Sequence, residues 1–177
     1  MRSILQTAIA ATRSVSPNTK IILHFAGLNG ASHFFKRVST LDYDIMGISY
    51  YPKWHGSNLS NLRQTLTQLA NTHQKPIFIA ETSYPFTMGW NDWTNNVVGE
   101  AGHLVPGFAA TPEGQRDFLR EIRRIVTEVP NGIGFVYWGA EWISYRGPQA
   151  ADGSTWENQA LWDFNNRALP ALTVFGE

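Results

Sequence analysis

The chain contains 177 residues, with 14 Lys and Arg residues balanced by 14 Asp and Glu residues, and it has no cysteine. This length suits a single domain, or part of a larger one, and allows a sizeable core. Balanced charge without a basic stripe argues against a nucleic-acid-binding domain, and no apolar run approaches the ~20 residues that a membrane helix needs. The lack of cysteine excludes disulfides, a thiolate nucleophile and a cysteine-based zinc site.

Hydrophobic periodicity and turn residues predict that helices and strands alternate along the chain. Helices are predicted over residues 4–15, 31–38, 59–72, 112–129 and 161–172, and strands over residues 20–25, 43–51, 76–80 and 133–138. Nearly continuous apolar strands in such an alternation are typical of a parallel sheet, covered by helices on both faces or on its outside. Two architectures fit this pattern: an open four-stranded α/β sheet, or half of a (β/α)8 barrel.

Glu81 stands out among the acidic residues because it follows the third predicted strand directly. In both architectures, ligands bind at the carboxyl ends of the strands. A carboxylate at the end of a buried strand is costly unless it is hydrogen-bonded or used in chemistry. The position therefore favours a catalytic role for Glu81 over a structural one. Glu141, three residues after the last strand, is a second candidate.

Aromatic residues follow the same strand ends. Trp54 and His55 come shortly after the second strand, and Trp138 and Trp142 surround the end of the fourth. Indole rings bury apolar area and present an N–H group, which suits the apolar faces and hydroxyl edges of a sugar chain. His24 ends the first strand, where it is suited to orient a carboxylate or a hydroxyl group. Core packing is the alternative interpretation for both Trp138 and His24.

A long loop follows the third strand, and loops of this length in a compact domain are usually functional. It contains Trp90 and Trp93, for which packing within the loop is favoured over ligand stacking. The loop also offers oxygen donors of the kind that Ca²⁺ takes, although a plain hydrogen-bonded loop is the favoured interpretation. These donors are Asn91, Asp92, Asn95 and Asn96.

Four segments of the sequence form an ordered series. They are residues 44–56 (DIMGISYYPKWHG), 79–85 (IAETSYP), 137–138 (YW) and 156–164 (WENQALWDF). In this order they resemble glycoside hydrolase family 53, the arabinogalactan endo-β-1,4-galactanases. The resemblance extends over nearly the whole chain.

This resemblance implies a (β/α)8 barrel in which the four strands correspond to the fifth through eighth. Residues 1–177 would then form the C-terminal half of the catalytic domain. The implied reaction is retaining hydrolysis of internal β-1,4-galactosidic bonds in galactan or arabinogalactan, with Glu81 as the nucleophile. The general acid/base is expected in a missing N-terminal half barrel, which is also the expected protein partner.

The resemblance also implies roles for individual side chains. Tyr50 resembles a neighbour of the nucleophile, Trp54 and His55 resemble a sugar-facing loop, and Trp138 resembles a platform under the reacting sugar. With His24 and Trp142, these residues form the expected substrate-binding set. No cofactor is expected to be required.

The resemblance implies that the parent protein is secreted, periplasmic or displayed on the cell surface. The first residues of this chain are too mixed in character to form a secretory signal. No nucleic-acid partner and no membrane span are expected.

Two alternatives to an enzyme remain at this point. One is a non-catalytic half barrel that binds carbohydrate through its tryptophans. The other is a self-contained flavodoxin-like domain, which is less favoured because no phosphate-binding loop follows the first strand.

Overall fold

The computed structural model describes residues 1–177, and helices separate its four strands as predicted, with one further short helix over Pro52–His55 that the sequence did not predict. The helices are α1 (Arg2–Val15), α2 (Ala31–Val38), α3 (Pro52–His55), α4 (Leu59–His73) and α5 (Pro112–Glu128). The strands are β1 (Ile22–Ala26), β2 (Ile45–Ser49), β3 (Ile77–Thr82) and β4 (Gly132–Tyr137), and 3₁₀ segments cover Ala101–His103, Glu157–Gln159 and Pro170–Gly176. None of the helices has the length and hydrophobicity needed to cross a membrane.

The predicted helix over residues 161–172 is wrong. Trp162 instead pairs with Ala168 in an antiparallel bridge. The turn between them is held by Asp163, whose Oδ1 accepts two backbone N–H groups at 2.8 Å. Such local hydrogen bonds from a side chain to the backbone compete with helix formation. Helical geometry resumes only in the final 3₁₀ segment.

The four strands form one parallel sheet in the order β1-β2-β3-β4. Right-handed crossovers that always step in the same direction place the connecting helices on the same face of the sheet. Accordingly, α2 packs against β1, and α5 packs against β3 and β4. The strand residues that point towards these helices are buried, as at Met46, Ile48 and Ile79.

The opposite face of the sheet is open. Its apolar residues Ile22, Ile133 and Val136 are exposed by 44%, 56% and 51%. A doubly wound sheet would carry helices on both faces, so the flavodoxin-like alternative is wrong. Sequential parallel strands with a single layer of helices are the architecture of half a (β/α)8 barrel, as expected from the resemblance.

The amino ends of the strands are held together by ion pairs. The Asp44 carboxylate accepts a hydrogen bond of 2.8 Å from the Ile21 backbone N–H and one of 2.7 Å from Arg13. Arg13 also pairs with Asp42 at 2.9 Å. The Ile21 N–H and then Arg13 hold the pKa of Asp44 well below its ordinary range. In barrel folds this end of the strands serves stability, not chemistry.

Gln115, buried near the start of α5, ties the carboxyl end of the sheet together. Its Nε2 donates to the Tyr84 carbonyl at 2.8 Å and to the Ala160 carbonyl at 3.0 Å. The Tyr137 hydroxyl, at the end of β4, lies within the same group and donates to the Gln159 carbonyl at 2.6 Å. These bonds join the segments that follow β3 and β4, and so support the rim where a ligand would bind.

Candidate active site

A β-bulge decides where the Glu81 side chain points. Ile48 of β2 pairs with Ile79 of β3, but Ser49 pairs with Glu81, so Ala80 is an extra residue opposite β2. In a regular strand, Glu81 would face the helices together with Ile79, because side chains alternate. The extra residue turns Glu81 towards the open face, beside Ser49. The carboxylate therefore lies at the carboxyl end of the sheet and on its accessible side.

Two hydroxyl groups bind the same oxygen of this carboxylate. Ser49 Oγ donates to Glu81 Oε2 at 3.0 Å, and the Tyr51 hydroxyl donates to the same oxygen at 3.1 Å. Burial and then the Glu81 charge raise the pKa of Tyr51, so its hydroxyl remains a proton donor. Oε1 accepts no hydrogen bond from the protein. One oxygen is thus held and the other is free.

His24 reaches this group through Ser49. Its Nε2 lies 2.6 Å from Ser49 Oγ, and the two side chains come from adjacent strands. The sequence assigned His24 to orient a carboxylate or a hydroxyl group. Its partner in the structure is a hydroxyl group, that of Ser49.

Tyr50 adjoins Glu81 through its backbone, because its N–H donates to the Glu81 carbonyl at 2.8 Å. Its side chain is fully buried, and its hydroxyl donates to the Gly56 carbonyl at 2.7 Å. Tyr51, which the sequence did not single out, donates to Glu81 instead. Adjacent residues at the end of a strand point to opposite sides, so only one of the two tyrosines can face the carboxylate. Tyr50 thus lies beside Glu81 through its backbone only, and Tyr51 contributes the side chain that contacts the carboxylate.

His55 supports Tyr51 from α3. Its Nδ1 accepts the Tyr51 backbone N–H at 3.0 Å. Burial lowers the pKa of His55, while the charge of Glu81 acts in the opposite direction. Because Nδ1 must accept a hydrogen bond, the ring is neutral and carries its proton on Nε2. His55 thus lies beside the site, as expected, but its contact is with Tyr51.

Four tryptophans form a continuous surface next to Glu81, which we call the aromatic wall: Trp54, Trp156, Trp142 and Trp138. Ring centroids are separated by 6.1 Å between Trp54 and Trp156, 6.0 Å between Trp156 and Trp142, and 5.4 Å between Trp142 and Trp138. Tyr51 joins the wall to Glu81, since its ring lies 5.6 Å from that of Trp156. Exposed indole faces of this kind suit the apolar faces of sugars.

The sequence analysis gave Trp156 no role of its own. Trp156 lies in a loop far from Glu81 along the chain, and only tertiary packing brings it against Tyr51 and Trp54. The one signal in the sequence was its place at the start of the segment 156–164. Trp54, Trp138 and Trp142, by contrast, were all expected near the site.

Two members of the aromatic wall, Trp142 and Trp156, also line an open cavity of about 450 Å³ together with Glu141 and Tyr145. Glu141 is exposed and makes no hydrogen bond to Glu81, Ser49 or Tyr51. The hydrogen-bonded group around Glu81 therefore contains a single carboxylate.

Trp90 and Trp93 lie on the surface of the long loop after β3. They are exposed by 50% and 64%, and neither stacks on the aromatic wall. The sequence favoured loop packing over ligand stacking for both. The structure places them apart from Glu81 and its partners.

The oxygen donors of this loop differ in their surroundings, since Asn96 is half-buried and its Oδ1 has no hydrogen-bond partner. Asp92 is buried, and its two carboxylate oxygens accept the Thr94 N–H at 2.7 Å and the Ser144 hydroxyl at 2.9 Å. Asn95 is exposed, and the Asn91 backbone is engaged with another carboxylate. No three His, Asp or Glu residues converge where they could hold a metal ion. Structural calcium stays a prediction.

Comparison with known proteins agrees with this geometry. The model of glycosyl hydrolase family 53 matches residues 1–175. The chain belongs to this family. Membership of this family agrees with the parallel strands and their single layer of helices.

Two curated relatives of family 53 illustrate the similarity. The arabinogalactan endo-β-1,4-galactanase of Cellvibrio japonicus is 36% identical over 98% of this chain and 48% of its own length. The endo-β-1,4-galactanase of Bacillus subtilis is 32% identical over 93% of this chain and 47% of its own length. The chain thus spans about half the length of the curated relatives it matches.

Solved structures also match this chain over about half of their own length. The family 53 catalytic domain of Ignisphaera aggregans has a TM-score of 0.89 and 37% identity, covering 98% of this chain and 51% of its own. A fungal β-1,4-galactanase has a TM-score of 0.74 and 26% identity, covering 99% of this chain and 54% of its own. The half-barrel architecture is therefore shared with family members of known structure.

Proposed function

We propose that this chain is the nucleophile-bearing half of a retaining endo-β-1,4-galactanase, with Glu81 as the nucleophile. Relatives from C. japonicus and B. subtilis carry the name galactanase, which supports β-1,4-galactan or arabinogalactan as the substrate. The aromatic wall would bind the sugar chain beside Glu81. Export of the parent protein, expected from the resemblance, belongs to the same proposal.

The observation that carries this proposal is that both hydrogen bonds to the Glu81 carboxylate go to one of its two oxygens. Ser49 and Tyr51 both donate to Oε2, which holds the carboxylate in one orientation and leaves Oε1 free. In the first step, Oε1 attacks the anomeric carbon, and the bond from that carbon to the leaving oxygen breaks with its electron pair. Water then cleaves the glycosyl–Glu81 ester. Neither step requires a cofactor.

A natural leaving group also needs a proton, which a second carboxyl group must supply. In retaining enzymes the two carboxyl groups lie roughly 5–5.5 Å apart. No second carboxylate takes part in the hydrogen-bonded group around Glu81. We therefore assign the general acid/base to an N-terminal half barrel that completes the cleft across the open face of the sheet.

Because the general acid is assigned to the other half of the barrel, the nucleophile can be tested with a substrate that needs no acid. A 2-deoxy-2-fluoro-β-galactoside with dinitrophenolate as the leaving group needs no protonation, so the isolated chain can be tested for its nucleophile alone. We expect one label per chain, located by mass spectrometry of the peptide that contains Glu81. Glu81→Gln should abolish labelling.

Two tyrosine variants provide a matched comparison in the same assay. Tyr51→Phe removes one of the two donors that orient Glu81 and should slow labelling roughly tenfold to a hundredfold, because a hydrogen bond to a charged group contributes about 1.5–3 kcal/mol. Tyr50→Phe removes a hydroxyl that contacts only Gly56 and should leave the labelling rate unchanged. Labelling at another residue, or a larger effect for Tyr50→Phe, would refute the assignment.

A non-catalytic carbohydrate-binding half barrel is the second candidate. The continuous aromatic wall beside a lone carboxylate favours it. Titration with galactan, followed by tryptophan fluorescence, separates the two functions when combined with the labelling assay. Saturable binding without any label on Glu81 would favour the binding module.

A further inference from the structure

We propose that His24 is a positioning residue that acts through Ser49 to hold Glu81 with Oε1 free for attack. This inference rests on the proposed function of Glu81. His24 itself makes no hydrogen bond to the carboxylate. Its only polar partner in the site is the Ser49 hydroxyl, at 2.6 Å.

The three groups form a chain with a fixed direction. An ionised carboxylate only accepts hydrogen bonds, so the single proton of Ser49 must point to Glu81 Oε2, at 3.0 Å. Ser49 Oγ then has only lone pairs to offer His24. His24 Nε2 must therefore carry a proton and donate it to Ser49. The geometry assigns the Nε2–H tautomer to a neutral His24.

The opposite tautomer would undo the arrangement. If Nε2 lacked a proton, the Ser49 hydroxyl would turn to donate to His24, and Oε2 would lose one of its two donors. Glu81 would then be held by Tyr51 alone and could rotate to offer either oxygen. His24 thus fixes the direction of a hydroxyl proton, and that direction selects which Glu81 oxygen is free.

The whole chain of contacts belongs to this half barrel. His24 is on β1, Ser49 on β2 and Glu81 on β3, and the three strands are successive neighbours. The arrangement therefore exists without an N-terminal half, and it can be tested on the 177-residue protein.

The first test measures the tautomer directly. Long-range proton–nitrogen NMR correlations of the histidine rings, recorded on isotope-labelled chain near neutral pH, distinguish Nε2–H from Nδ1–H. We expect His24 to be held as the Nε2–H form, and Ser49→Ala to relax it to a mixture like that of exposed His33 on α2. An Nδ1–H form of His24 in the wild-type chain would overturn the proposal.

The second test follows labelling by the activated fluoro-galactoside. His24→Ala should lower the limiting labelling rate about tenfold, the scale of one hydrogen bond, with little change in the half-saturating concentration. His24→Gln keeps an N–H donor at a similar reach and should recover most of the rate. His33→Ala serves as the control, because His33 is exposed and its side chain makes no hydrogen bond to Glu81, Ser49 or His24.

The outcomes separate this inference from the function on which it rests. A change confined to the half-saturating concentration would mean that His24 contacts the sugar directly, which overturns the positioning role. Failure of His24→Gln to recover the rate would do the same. If the wild-type chain takes no label, the nucleophile assignment fails, while the tautomer measurement still decides the direction of the Ser49 hydrogen bond.

Discussion

Each of the two residues whose hydroxyl binds Glu81 is itself hydrogen-bonded to a histidine. His24 contacts the Ser49 side chain, and His55 accepts the backbone N–H of Tyr51. The two rings use different nitrogens, since His24 engages Nε2 and His55 engages Nδ1. Both arrangements require a defined position for the ring proton, so the orientation of the carboxylate depends on histidine chemistry one contact away.

The pH dependence of stability should report on His55. Burial lowers the pKa of His55 below the ordinary value of 6.5. As pH falls through 6.5, His55 therefore becomes protonated in the unfolded chain while it stays neutral in the folded chain. Stability should therefore fall from pH 6.5 down to the lowered pKa, and His55 should contribute no slope above pH 6.5. Urea unfolding between about pH 5 and 8 measures this dependence.

His55→Asn is the matched variant for this prediction. Asn keeps an acceptor near the position of Nδ1 but does not titrate, so the loss of stability at low pH should become smaller. His73 also has a pKa lowered by burial and by Lys75, so His73→Asn should remove a separate part of the slope. An unchanged pH profile in His55→Asn would contradict the assignment.

At the scale of the elements, the bulge in β3 is the feature that makes Glu81 usable. Strict alternation would point its side chain at the helices, where a charge would be buried. The extra residue Ala80 places Glu81 opposite Ser49 instead. The chemistry at the rim therefore depends on one irregular pairing between two otherwise regular strands.

The rim also depends on Gln115 of α5. Gln115→Met keeps a similar volume but removes the donor to the Tyr84 and Ala160 carbonyls, so we expect a loss of about 1–3 kcal/mol in the free energy of unfolding. Exposed Gln68→Met on α4 is the control and should change stability by less than about 0.5 kcal/mol. Urea unfolding with an unchanged m-value measures both. Equal effects of the two variants would argue against the role of Gln115.

At the scale of the whole molecule, the open face of the sheet is the feature that most favours association with another chain. It carries exposed Ile133 and Val136 on β4 and exposed Ile22 on β1. Both of these strands are sheet edges with unpaired backbone groups, which favour pairing with another chain. In a complete barrel the same groups would contact the other half.

We expect the isolated chain to self-associate through this face. Replacing Ile133 and Val136 by Lys should weaken association by at least about tenfold, because burying each such side chain contributes on the order of 1.5–3 kcal/mol. Sedimentation velocity over a range of concentrations measures the change. Val15→Lys, at an exposed position of α1 away from the sheet, is the control. Wild-type chain that stays monomeric throughout would contradict the prediction.

The sequence by itself determined the order of the four strands, the start of the helix at Pro112 and the placement of Glu81 at a strand end. These features depend on local periodicity, capping and turn residues, which a linear pattern records. The ordered motifs likewise indicated family 53 and half a barrel. The unpredicted turn held by Asp163 shows the limit even of local patterns.

Only the tertiary structure decided which groups meet at the carboxylate. The bulge at Ala80, the choice of Tyr51 over Tyr50 and the addition of Trp156 to the aromatic wall all depend on pairing between strands and on loops that meet from distant parts of the chain. A shift of one residue in register reverses the direction of a side chain. The spacing of residues along the chain does not record that register. The sequence therefore identified Glu81 as the candidate residue, and only the fold decided which way its side chain points.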